Sequence, residues 1–121
     1  MSYTFNNEVP IYIQIVDIIT KEIISGVLKP GQKIPSVREY ASIFSANPNT
    51  ISKALQVLEE NKLIYTERTN GKFVTNDFDV ILCNKEVILN MKITNFINDI
   101  KSMGFNEEDI INKIKEIKKW A

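Results

Sequence analysis

Apolar residues recur along the first part of the chain at helical spacing: Ile11, Ile13, Ile15, Ile18, Ile19, Ile23 and Ile24, with Gln14, Asp17, Lys21 and Glu22 between them. Preceded by Pro10, this pattern predicts a helix over about 11–25 with a broad apolar face. Gly26 is a C-terminal stop, and Pro30-Gly31 is a tight turn that returns the chain. Residues 1–9 show no periodicity and are expected to form a flexible arm.

Two further helix openings follow closely. Ser36 is placed to cap a second helix, with Glu39 in the capping-box position and Val37, Tyr40, Ala41 and Phe44 on its apolar side. Asn47-Pro48 is an N-cap and first-turn pair that starts a third helix running to about Glu60. Its buried stripe is Ile51, Ala54, Leu55 and Leu58, which leaves Asn49, Thr50, Ser52, Lys53 and Gln56 outside. Then come two β-rich runs, 63–66 and 72–75, joined by a segment in which Asn70-Gly71 is a hairpin signal. Three helices followed by a two-stranded hairpin make a winged helix-turn-helix.

Past Asn76-Asp77 the pattern is helical only. Ile81, Val87, Ile88, Met91, Ile97, Ile100 and Met103 follow one long helix that Gly104 ends, and Asn106 caps a last helix. Two such helices cannot enclose a core of their own, so a second copy of the chain is the economical partner. The seam is expected at Ile88, Met91, Ile110, Ile111, Ile114, Ile117 and Trp120. The expected fold is therefore α+β, mostly α: a winged helix-turn-helix domain over 1–76 and a two-helix dimerisation tail over 77–121.

Composition narrows the function. The chain has 121 residues, 44% hydrophobic and 25% charged, which suits one small folded domain with a helical appendage. It contains no histidine and a single cysteine, Cys83, so imidazole-based catalysis and an internal disulfide are excluded. No enzymatic activity, metal or cofactor is expected. The chain's first residues lack a basic start and an apolar core, and no apolar run is long enough to span a bilayer, so a soluble cytoplasmic protein is expected. Fifteen basic and fifteen acidic residues cancel overall. Between Lys29 and Lys53, however, Lys29, Lys33, Arg38 and Lys53 face Glu39 alone, a local surplus suited to a duplex.

Within that segment Arg38 can reach a phosphate or a guanine edge, or can be an exposed helix residue paired with a carboxylate. Asn49 and Thr50 can touch base edges but are also ordinary first-turn residues. Ser36, Asn47 and Pro48 are explained by capping, with phosphate contact as an additional role. Lys53, Arg68 and Lys72 read as electrostatic contributors and Gly71 as the wing tip. Met91, Met103 and Trp120, which might line a small-molecule pocket, read instead as core or interface, and Cys83 as inert.

Several of these pieces together resemble the GntR family of bacterial transcription regulators: Pro10-Ile11-Tyr12-Ile13-Gln14-Ile15, Gly26-x-Leu28-x-Pro30-Gly31, Ile34-Pro35-Ser36-x-Arg38, Asn47-Pro48-Asn49-Thr50-Ile51-x-Lys53-Ala54 and Gly71-x-Phe73-Val74. Asn-Pro-Asn-Thr with a short tail is similar to the YtrA-like subfamily. The resemblance implies a homodimer that binds an inverted-repeat operator on double-stranded DNA and usually represses. It also implies DNA contact by Arg38, by the start of the recognition helix from Asn47 to Lys53, and by a wing tip at Gly71 that approaches the minor groove. Here the recognition helix lacks the arginine many relatives carry, and Thr69-Asn70 stands where many wings have a second glycine.

The expected function is a dimeric, sequence-specific DNA-binding repressor. Its rival is a winged-helix protein-interaction module, which the neutral net charge suits. A pyridoxal-phosphate domain like that of some family members would need several hundred more residues. The sequence does not indicate an effector molecule.

Overall fold

A computed structural model describes residues 3–119. Its elements are α1 (Ile11–Ile24), α2 (Val37–Phe44), α3 (Pro48–Glu60), β1 (Ile64–Glu67), β2 (Gly71–Val74), α4 (Phe78–Lys101) and α5 (Glu107–Lys118). The chain forms two compact units, 1–84 and 85–121.

In the first unit the isoleucine face of α1 packs on α2 and α3. Ile15, Ile19 and Ile23 meet Tyr40, Phe44, Ile51, Ala54, Leu55 and Leu58 in one buried cluster, which Leu63, Ile64 and Val74 close from the hairpin side. Each fully buried aliphatic side chain contributes about 1.5–3 kcal/mol, so this cluster supplies the main force that holds α3 with its polar face outward. The turn between α2 and α3 passes through Ser45 in the left-handed region (φ 50), where Ala46 N–H bonds back to Ala41 O at 3.0 Å.

β1 and β2 pair antiparallel from Ile64↔Val74 to Glu67↔Gly71, with Tyr65 stacked on its partner Phe73. The sequence places both strands one residue differently: Gly71 is the first residue of β2, so the loop proper is Arg68-Thr69-Asn70. A third stretch of chain joins the other side of β2. Lys33 bridges Phe73, Ile34 N–H bonds to Lys72 O at 3.0 Å, and Val74 N–H bonds to Gln32 O at 2.9 Å.

The N-terminal arm differs from expectation. From residue 3 onward it is packed rather than free: Tyr3 and Phe5 lie against Phe44 with ring centroids 4.7 and 6.3 Å away. Gln14 fastens the same segment, accepting from Asn6 N–H at 3.1 Å and donating to Asn6 O and Val9 O. Aromatic area and one side-chain amide supply what periodicity could not reveal.

In the second unit Asn106 and Asp109 form a capping box that starts α5. Ile110 is buried there, whereas Ile111, Ile114 and Ile117 are about half exposed, and Phe96, Ile100, Phe105, Ile110, Ile114 and Ile117 line an apolar groove of about 420 Å³. Along α4, Val87, Leu89, Met91 and Ile93 are exposed and Ile88 is half-buried. Met103, expected on the long helix, lies past its end at Lys101. Trp120 lies outside the described residues.

Candidate nucleic-acid interface

Arg38 sits in the first turn of α2 and is exposed. Among the described residues its guanidinium has no ion pair or side-chain hydrogen bond. The neighbouring acid is committed elsewhere: Glu39 Oε1 accepts from Ser36 N–H at 3.0 Å while Ser36 Oγ accepts from Glu39 N–H at 3.1 Å. The Ser36 backbone bond, followed by the Ser36 side-chain bond, holds the Glu39 carboxyl below the usual carboxylate range. Arg38 therefore keeps its donors free while its helix is capped by its neighbours.

Asn47 caps α3 through a 2.8 Å bond from Asn49 N–H to Asn47 Oδ1, with Pro48 at the first helical position. The expected outward row is outward: Asn49, Ser52, Lys53 and Gln56 are exposed and Thr50 is half-buried, opposite the buried stripe. Two members carry local partners. Lys53 Nζ lies 4.2 Å from the centroid of the Tyr12 ring on α1, and Gln56 donates to Glu60 at 3.3 Å.

At the wing, Arg68 is exposed in the loop and Gly71 adopts φ 107, which side-chain-bearing residues rarely reach. Lys72 is half-buried and engaged. Its ammonium donates to Thr66 Oγ1 at 2.7 Å and to Glu59 Oε1 at 3.1 Å, and the Thr66 hydroxyl also donates to Glu59. The Thr66 hydroxyl first and Lys72 second hold the Glu59 carboxyl below its ordinary range. One residue near the wing escaped selection as a site. Lys33 lies beside Gly71, and together with Ser36, Glu39, Asn70 and Lys72 these residues line a cleft of about 410 Å³ between the start of α2 and the hairpin. Only the pairing of 31–34 with β2 brings it there, and that segment is too short to read as a strand.

Nothing in this arrangement resembles a catalytic constellation. Among the described residues no group of three or more His, Cys, Asp or Glu is placed to hold a metal ion, and no helix is long and apolar enough to cross a membrane.

Comparison with known proteins decides among the folds that could carry such a face. The model of the bacterial regulatory proteins, gntR family, matches residues 11–74, from the start of α1 to the end of β2. The chain belongs to the GntR family. It is 38% identical over 109 residues to the HTH-type transcriptional repressor YtrA of Bacillus subtilis (strain 168), covering 89% of this chain and 84% of that protein. Its fold is similar to that of a GntR family transcriptional regulator from Listeria monocytogenes, with TM-score 0.88 and 40% identity over 93% of this chain and 98% of that one. The AraR DNA-binding domain in complex with operator ORX1 is also similar, with TM-score 0.57 and 29% identity over 62% of this chain and 95% of that one. The chain is thus a YtrA-like GntR regulator: a winged helix-turn-helix DNA-binding protein of transcription, not an enzyme.

Proposed function

We propose that this GntR protein is a repressor that binds an inverted-repeat operator as a homodimer, with residues 1–76 reading DNA and residues 77–121 joining two copies. The observation that carries the reading is the exposed polar face of α3 together with an exposed Arg38 guanidinium that has no ion pair or side-chain hydrogen bond among the described residues. Arg38 supplies a bidentate fork for guanine or phosphate, and Asn49 and Thr50 supply an amide and a hydroxyl at the opening of α3. Ser36, Asn47 and Pro48 fix the two helix starts that point at the backbone. Lys53 and Arg68 add charge, Gly71 lets the wing approach, and Lys72 acts through the hairpin it braces. The exposed apolar side chains of α4 and α5 support the dimer, and the repressor name of the Bacillus relative supports the sign of regulation.

Selection from a random duplex pool tests this reading. Inverted repeats with half-sites about one helical turn apart are expected, together with a salt-sensitive mobility shift that Arg38→Ala abolishes. Recovery of no common sequence, or a shift indifferent to Arg38→Ala, would instead favour the protein-interaction module.

A further inference from the structure

Lys33 belongs to no ion pair among the described residues, and the fold holds both its backbone and its stem. Its backbone is held against β2 by the bridge to Phe73 and by the flanking bonds of Gln32 and Ile34. Its side chain crosses the wing at the one residue without a Cβ. A Cβ built on Gly71 would lie 3.0 Å from Lys33 Cε and 3.7 Å from Nζ. The lysine stem thus occupies the space that the glycine leaves, and the ammonium is delivered to the cleft between the α2 start and the hairpin.

The carboxylate that shares its cleft, Glu39, is hydrogen-bonded in the Ser36 cap; it feels the Lys33 charge but forms no ion pair with it. A lysine held at both backbone and stem has lost part of its rotamer freedom before any partner arrives, which lowers the cost of a later contact. A compact ammonium suits a phosphate oxygen better than the planar edge of a base.

We propose that Lys33 is a DNA-backbone contact of this protein, its ammonium set on a phosphate beside the wing by its packing against Gly71. The proposal rests on the DNA-binding reading above and adds a residue to it. The test compares wild type, Lys33→Met and Lys33→Arg on a duplex selected by the wild-type chain and on a scrambled duplex, by fluorescence anisotropy across a salt series. Lys33→Met, which keeps the stem, is expected to weaken binding several-fold on both duplexes and to reduce the slope of log affinity against log salt by about 0.9 per bound protomer. Lys33→Arg is expected to keep wild-type affinity and slope. An unchanged slope in Lys33→Met overturns the proposal whether or not affinity falls, as does an equal loss in Lys33→Arg, and the DNA-binding reading survives either result. Failure of the wild type to bind any duplex overturns both. Thermal unfolding of each variant checks that the fold is intact.

Discussion

Lys72 on β2 reaches across to Glu59 in the last turn of α3, with 3.1 Å between Nζ and Oε1. Thr66 on β1 completes the contact, so both strands of the wing are tied to α3. An exposed ion pair alone would add little, but three mutually bonded groups restrict where the hairpin can point.

Because the folded-state pKa of Glu59 is depressed, its contribution to stability is full above the ordinary carboxylate value of about 4.3 and is lost as pH falls through the lower folded value. Glu59→Gln removes that dependence. Melting temperatures from pH 7 down to pH 3 are expected to show wild type above the variant at neutral pH and the gap closing in acid. A gap constant with pH would assign the effect to packing.

Gly71→Ala places a side chain at φ 107 and against Lys33 Cε. The backbone strain is expected to cost about 1–3 kcal/mol in urea unfolding. Adding Lys33→Ala removes the contact but leaves the dihedral, so the double variant is expected to recover only a minor part. Full recovery would show that crowding, not backbone strain, makes glycine necessary.

Ser36→Ala removes one half of the capping box that starts α2. A loss of about 0.5–2 kcal/mol is expected in denaturant unfolding. The backbone N–H at position 36 still donates to Glu39, so duplex affinity is expected to fall only through the weakened start of α2, which presents Arg38. Anisotropy titrations at a temperature where both proteins are fully folded separate the two effects.

Ile114→Asp puts a charge on the apolar face of α5, where Ile114 is 47% exposed in the single chain. If this face joins two copies, the buried charge is expected to give monomers by light scattering and a duplex affinity that falls as the paired binding event is lost. A dimer that persists would move the seam elsewhere.

The punctuation of the reader was legible because each mark is local chemistry. Ser36 with Glu39, Asn47 with Pro48 and Asn106 at α5 act within three residues of themselves, and the apolar stripe of α3 needs only its own spacing. Contacts made across the fold were not legible. Tyr3 and Phe5 find Phe44, Lys33 finds Gly71, and Lys72 finds Glu59 only after the chain has turned several times. The Asn70-Gly71 pair announced a hairpin but not its loop length, because Gly71 serves as a strand residue opposite Glu67.

The outward row of α3 offers mainly amides and hydroxyls, and its one cation, Lys53, rests on Tyr12. Neutral groups discriminate between bases through direction rather than charge, and direction is not screened by dissolved ions. Raising ionic strength is therefore expected to loosen this regulator's hold on all DNA while leaving its ranking of one sequence over another nearly intact.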